Sequence, residues 1–328
     1  MTFPTDIAGL YGIALPTPFE IGPVNCYVAE GEPLTLIDCG TNTEETYRTL
    51  VRGLAERGHR VSDIRRLIIT HHHTDHLGLA RRIVDESGAE VWAHPLAVRW
   101  LETPQEARNR LTAFTNALFH ESGVPQAQID LMNQTGQYLD SLSSGSVPVA
   151  VRLDEGDTLD IAGYRWMAYH TPGHAGDMLC FYQPESNVLL ASDHLLQDVS
   201  SNPLIEAPDT PDGERPKRLL DYLREMQRIA ALGARIAYTG HGRPIDDICK
   251  LVESRLTFHQ KRADKLYASF DGQPRLLYEL TKSMFPTVPD VQLYLTLSEV
   301  LGHLDLLERD GRVTRELRAG LLYWQPIH

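Results

Sequence analysis

Two short apolar stretches, Val24–Ala29 and Leu34–Cys39, stand on either side of the tetrapeptide EGEP. Glycine and proline between two β-prone runs predict a hairpin. Over residues 43–57 the apolar spacing lengthens to a helical period. Tyr47, Leu50, Val51 and Leu54 share one face, and Thr43 is placed to cap it. Ile64–Thr70 reads as a buried strand, Leu77–Ser87 as a helix ended by Gly88, and Glu90–Ala93 as a further strand. Strand and helix alternating in this way predict a layered α/β arrangement.

From Leu96 to about Ser146 the pattern becomes helical throughout. Thr103 and Glu106 bracket Pro104 as a capping box with proline at the first helical position. Ala107, Leu111, Phe114 and Leu118 continue as an apolar stripe, and a second helix is expected over Pro125–Leu142 with Ile129, Met132, Leu139 and Leu142. The pair predicts a helical insertion over about 96–146, either packed on the core or forming a lid or wall for a substrate. Strands resume at Val149–Leu153, Thr158–Ile161, Tyr164–Tyr169, Leu179–Gln183 and Val188–Ala191, with the turns DEGD, IAGY and PESN between them. Residues 196–216 hold four prolines and little periodicity, which predicts a long loop of the kind that often edges an active site. A helix over 217–232 and a strand Arg235–Thr239 follow, running into GHG.

The final stretch predicts helices at 251–270, 274–284 and 291–309, then the turn RDGRV and a strand at Leu321–Trp324. A helix running into a glycine turn and a strand pair resembles a winged helix. Residues 251–328 contain ten Lys/Arg and ten Asp/Glu and are therefore neutral overall. A DNA-reading module needs a basic face, so a packing or dimerisation role is expected. The reading divides the chain into a catalytic domain at 1–250 and a small, mostly helical C-terminal domain at 251–328.

Composition narrows the class. The 328 residues are 42% hydrophobic and 23% charged, ordinary for a soluble globular protein. A net charge of −13 repels polyanions, so no nucleic acid is expected as a partner. Cys26, Cys39, Cys180 and Cys249 lie far apart with no CxxC pair, which predicts reduced thiols and a cytoplasmic protein. The first basic residue is Arg48, so no signal peptide is expected. No apolar run reaches the length of a membrane span.

The candidate chemistry is concentrated in ITHHHTDHLG, with four histidines and an aspartate in the six positions 71–76. If the chain stays extended past its strand, residues 71, 73 and 75 point the same way. His71 and His73 then chelate one metal with Asp75 nearby, and the start of the next helix swings His76 towards a second. Imidazole and carboxylate together suit Zn²⁺ or Fe²⁺. Further ligands are offered by His174 in YHTPGHAGD, Asp193 in LLASDHL and His241 in YTGHGRP, each beyond a predicted strand. In the last of these, flanking glycines let the backbone approach closely.

The set THHHTDHLG, HTPGHAGD, ASDH and TGHG, behind the hairpin GPVNCYVAEGEPLTLIDCG, resembles the metallo-β-lactamase-fold hydrolases in order and context over roughly residues 8–245. The glyoxalase II-like and lactonase-like branch carries the same ligand types. The resemblance implies an α/β fold, the four-layer αββα sandwich, with the C-terminal helices similar to an appendix seen in a subgroup. It implies that His71, His73 and His174 hold one metal, that Asp75, His76 and His241 hold another, and that Asp193 bridges them. Two Zn²⁺ per chain are expected, with Fe or Mn as alternatives. Asp38 is expected to orient a metal-bound imidazole. His72, His94, His170 and His194 match no ligand position, and His194 is read as a pocket residue.

Two dications beside Asp75 and Asp193 leave a net +2, enough to ionise a bound water near neutral pH. Asp75 is expected to orient that hydroxide and pass a proton to the leaving group. The expected reaction is hydrolysis of a carboxylic ester, thioester or lactone in a small, acyl-bearing substrate, with Trp100, Phe114 and Phe119 as an apolar wall. The alternatives are a phosphodiesterase or ribonuclease of the same fold, disfavoured by the charge, and a mononuclear-iron sulfur dioxygenase. β-Lactam hydrolysis is disfavoured by the expected lack of export, and a vestigial site by the full ligand set. A homodimer is compatible with the C-terminal reading.

Overall fold

The computed structural model describes residues 2–210 and 213–327. A seven-stranded sheet takes the N-terminal part in chain order. Its strands are β1 (Thr2–Pro4), β2 (Leu10–Leu15), β3 (Val24–Ala29), β4 (Thr35–Ile37), β5 (Arg66–Ile69), β6 (Glu90–Ala93) and β7 (Val149–Arg152). A five-stranded sheet in the order β12-β11-β10-β9-β8 comprises β8 (Thr158–Ile161), β9 (Tyr164–His170), β10 (Leu179–Gln183), β11 (Val188–Ser192) and β12 (Ile236–Thr239). Helices α1 (Glu44–Ala55), α2 (Thr74–Leu77), α3 (Ala80–Ser87), α4 (Val98–Glu102), α5 (Pro104–Glu121), α6 (Gln126–Ser141) and α7 (Arg218–Ala230) connect the strands. The C-terminal segment contributes α8 (Ile248–Ala268), α9 (Leu277–Met284) and α10 (Leu293–Arg309). Its three short strands, β13 (Arg275–Leu276), β14 (Val313–Arg318) and β15 (Leu321–Pro326), form a small sheet. No helix among the described residues is long and apolar enough to cross a membrane.

Alternation along buried strands explains the four layers. In β5, Ile68 faces a core shared with Trp166, Phe181 and Leu190 of the other sheet, whereas Leu67 and Ile69 face α1 and α3 through Leu50, Leu54 and Ile83. In β11, Val188 and Leu190 point into the core between the sheets, while Leu189 and Ala191 point outward to Leu219, Tyr222 and Met226 of α7. Side chains of period two thus bury both faces of the central strands, whereas β7, β8 and β9 leave one face partly open, giving helix, sheet, sheet, helix. The outer cluster on the second sheet runs on without interruption through α8 and α10 to Trp324 of β15.

Several expectations need correction. The helix read as Leu77–Ser87 is two pieces, because Leu79 N donates to Gly40 O at 3.1 Å and interrupts the ladder. A Cβ on Gly78 would fall 2.6 Å from three carbonyl oxygens, so the bend is closed to any other residue. The capping box at Thr103 does not form. Thr103 also terminates α4, and its hydroxyl turns back to Arg99 O at 3.2 Å. Val51 is exposed, since α1 buries Thr46, Leu50, Gly53 and Leu54. In α5 the most buried positions are Ala107, Thr115 and Phe119, one step round from the expected stripe. Phe119 is packed edge-on to Tyr294, and Phe114 packs against the same cluster. Trp100 is buried and stacks on His72 at 4.3 Å. Phe119 and Phe114 are thus engaged in packing with the C-terminal helices, while Trp100 lies against the His72 ring beside the histidine cluster.

Candidate metal centre

The strand directions bring the site together. β4 and β5 run parallel, as do β11 and β12, and β9 runs in the direction of β11 because each is antiparallel to β10. The segments after β4, β5, β9, β11 and β12 carry Asp38, His71–His76, His174, Asp193 and His241 respectively. Hydrogen bonds stitch the two sheets at this edge: Leu179 N to Thr70 O at 2.9 Å, Asn25 N to Gly240 O at 2.6 Å and Tyr27 Oη to Thr239 O at 2.7 Å.

All seven residues expected as ligands meet there. His73 Nδ1 lies 3.1 Å from His71 Nε2 and 2.9 Å from His174 Nε2. Imidazole nitrogens bound to one tetrahedral Zn²⁺ sit about 3.3 Å apart, so the spacing suits a shared ion. His241 Nε2 lies 3.2 Å from Asp75 Oδ2, and His76 Nε2 is 4.0 Å from Asp75 Oδ1. Asp193 Oδ2 stands between the two groups, 3.6 Å from His174 Nε2, 3.4 Å from His76 Nε2 and 3.6 Å from His241 Nε2.

The donor set fits metal ions on three further counts. His76 Nε2 and Asp193 Oδ1 are buried with no hydrogen-bond partner among the described residues, an expensive condition for polar atoms unless something else engages them. A Cβ on Gly240 would fall 2.0 Å from Asp193 Oδ1, so glycine alone leaves room for the carboxylate. The ring nitrogens facing away from the cluster have fixed acceptors. His76 Nδ1 donates to Asp38 Oδ2 at 2.8 Å, His174 Nδ1 to Asn202 O at 3.0 Å and His241 Nδ1 to Pro23 O at 2.9 Å. Such bonds set the tautomer that leaves a lone pair facing inward. His71 Nδ1 lies 3.1 Å from Thr70 Oγ1, whose own proton goes to Asp38 Oδ2 at 2.8 Å.

The electrostatics divide the imidazoles. Burial opposes charge on all five. At His71 and His73 it is reinforced by neighbouring imidazoles, and at His174 it outweighs Asp193, so these three are held below the ordinary histidine value. At His76 burial is overcome by Asp193, Asp38 and Asp75, and at His241 by Asp193 and Asp75, so both are raised. Burial likewise works against ionised Asp75 and Asp193, yet the nearby imidazoles hold both below the usual carboxylate range.

The remaining histidines lie outside the ligand set. His72 turns away and bonds Asp177 Oδ1 at 2.7 Å, tying the ligand strand to the loop that carries His174. His94 and His170 stack at 3.9 Å, and Asp154 Oδ1 lies 3.5 Å from His94 Nε2. His194 is fully buried with its ring edge-on to Tyr222, and burial pushes its pKa down to about 3. Cys39 and Cys26 are buried thiols held well above their ordinary value, first by burial and then by Asp38, so neither supplies a thiolate. Sequence reasoning missed Asn202, Pro23 and Thr70. Two of them act through backbone carbonyls, which every residue has. Asp177 stood inside the quoted HTPGHAGD with no role assigned.

Comparison with known proteins agrees with the geometry. The metallo-beta-lactamase superfamily model matches residues 20–241. The probable metallo-hydrolase YqjP of Bacillus subtilis is 33% identical over 316 residues, 96% of this chain and 97% of its own length. The crystal structure of the metallo-beta-lactamase family protein TTHA1429 from Thermus thermophilus superposes with a TM-score of 0.83 at 32% identity, covering 98% of this chain and 100% of that one. More distantly, an atrochrysone carboxyl ACP thioesterase of Aspergillus fumigatus is 26% identical over 231 residues, 63% of this chain and 49% of its own. With the family model covering 20–241 and a 33% identical relative matched almost end to end, this chain belongs to the metallo-β-lactamase superfamily.

Proposed function

We propose that this protein is a dinuclear metallohydrolase that cleaves a carboxylic ester or thioester, with lactones as the cyclic form of the same bond. The observation that carries the reading is the position of Asp193 Oδ2 within 3.6 Å of ligand nitrogens from both groups, His174 on one side and His76 and His241 on the other. Zn²⁺, or Fe or Mn in its place, would be held by His71, His73 and His174 and by Asp75, His76 and His241, with Asp193 shared. When bound, the two cations supply Lewis-acid polarisation and ionise water near neutral pH. The protein provides the rest. Asp75 is a buried carboxylate beside the cluster, placed to hold the proton of an attacking water and to release it to the leaving group. Asp38, Asn202 and Pro23 hold the imidazoles in one orientation, so little reorganisation remains for the reaction itself.

Support for an acyl substrate comes from apolar side chains left exposed beside the segments that orient the ligands. Ile21 lies two residues before Pro23, and Val199 three before Asn202. Val291 and Leu295, one helical turn apart, are exposed where α10 begins. That turn is bound to both segments, through Gln292 Nε2 to Glu20 Oε2 at 2.9 Å and through Asn202 Nδ2 to Leu295 O at 2.8 Å. The thioesterase named above adds a relative of matching chemistry. The test is metal analysis followed by turnover of thioesters, esters, lactones, phosphodiesters and a persulfide. About two ions per chain with chelator-sensitive carbonyl-ester or thioester turnover is expected. Phosphodiester cleavage, or one iron with oxygen uptake on the persulfide, overturns the reading.

A further inference from the structure

Among its described residues the loop after β11 has no helix or strand of its own until α7, yet it orients His174. Three consecutive residues do the work. Ser200 Oγ lies 3.1 Å from His259 Nε2 of α8, and the Ser201 hydroxyl donates to the backbone carbonyl of Asp193. Asn202 is gripped at both ends. Its carbonyl accepts His174 Nδ1–H at 3.0 Å, and its side-chain amide donates to Leu295 O of α10 at 2.8 Å.

The bond to Ser200 continues into the C-terminal helices with a fixed polarity. Glu299 O can only accept, so His303 Nδ1 carries the proton that reaches it at 2.7 Å. His303 Nε2 therefore accepts from His259 Nδ1–H at 3.2 Å, leaving His259 Nε2 to accept from the Ser200 hydroxyl. His259 and His303 are each 1% exposed. The same two helices seize the loop elsewhere. Arg255 reaches Leu196 O and Gln197 O at 3.3 and 3.2 Å, Tyr294 Oη reaches Ile205 O at 2.6 Å, and Ser298 Oγ accepts Ile205 N–H at 3.2 Å.

Apolar residues pack helices against a loop at lower cost than buried imidazoles, which need partners to offset desolvation. Here the polar partners end on Ser200, next in the chain to the Ser201 that bonds the Asp193 carbonyl, and on Asn202, the acceptor of His174. We infer that α8 and α10, through Ser200–His259–His303 and Asn202–Leu295, form a positioning device for the ion held by His71, His73 and His174. The inference rests on the metal reading of the cluster.

The test replaces Asn202 with leucine, which removes the amide at similar size, and in a second protein Ser200 with alanine. Zn²⁺ is titrated against a chromophoric chelator to resolve two dissociation constants, and circular dichroism follows the fold. The Asn202→Leu protein is expected to bind one ion about tenfold more weakly while the other constant stays at the parent value, since loss of a group orienting a ligand costs roughly 10–100-fold. The Ser200→Ala protein should shift the same constant in the same direction, and it carries the test if Asn202→Leu fails to fold. Two unchanged constants overturn the inference, as does an equal loss at both sites, which marks general loosening. A parent protein that binds no Zn²⁺ sinks the metal reading instead.

Discussion

Asp38 shows how much one residue in this site is asked to do. It adopts a left-handed backbone at φ 59°, and its carboxylate accepts from Thr70 N at 2.9 Å, Thr70 Oγ1 at 2.8 Å and His76 Nδ1 at 2.8 Å. Asparagine tolerates that backbone, so Asp38→Asn should fold while presenting a donor where His76 and Thr70 need an acceptor. We expect about 10–100-fold weaker binding of the ion proposed for Asp75, His76 and His241, measured by the same chelator competition. Parent affinity would show that His76 does not depend on this partner. His259 makes a separate, pH-dependent prediction. Burial, then His303, Arg262 and Arg255, push its pKa down to about 3 from an ordinary 6.5. Between those values the unfolded chain takes up a proton that the native state refuses, so its contribution to stability is complete above pH 6.5 and shrinks as pH falls. His259→Gln should remove a slope of up to ~1.4 kcal/mol per pH unit, read from denaturant unfolding at about pH 6.5 and about pH 5. Equal slopes in the two proteins would contradict it. At this scale the side chains that cluster were legible as candidates, because imidazole and carboxylate are chemically distinctive. The carbonyls of Pro23 and Asn202 were not, since only the folded backbone aims them.

Strands such as the VLLAS of β11 were easily read, because a run buried on both faces is apolar at nearly every position, although β1 and β2 were not anticipated. Helices were read well in position and less well in which face they bury. The expected stripe on α5 named Phe114 and Leu118, whereas contact with α10 turns Phe119 inward against Tyr294. A helix has several plausible apolar faces until its neighbour is known. Phe119→Ala is therefore expected to cost about 3–5 kcal/mol of stability through the cavity it leaves, with KM for an acyl thioester unchanged. A raised KM at unchanged melting temperature would return Phe119 to the substrate site. The split between α2 and α3 was likewise invisible locally, because Gly40, which takes the diverted amide of Leu79, lies almost forty positions earlier.

For the molecule as a whole, the continuous cluster from Leu189 through Tyr222 to Leu266, Leu297 and Trp324 makes a definite forecast for truncation. A chain ending at residue 250 loses the cover over α7 and the side chains that hold the loop between β11 and α7. We expect it to lose cooperative unfolding and Zn²⁺ affinity together, monitored by calorimetry and chelator competition. A truncated chain that melts sharply with both ions bound would make residues 251–328 an independent unit. The sequence by itself determined the alternation of most strands and helices and the imidazole and carboxylate candidates for the site, because each depends on residue chemistry and short-range periodicity. Tertiary structure decided which histidines converge and which turn away, which carbonyls fix their tautomers, and that the last two long helices grip the loop beside His174. Those outcomes depend on contacts between positions tens to more than two hundred residues apart, and no local pattern encodes such a meeting.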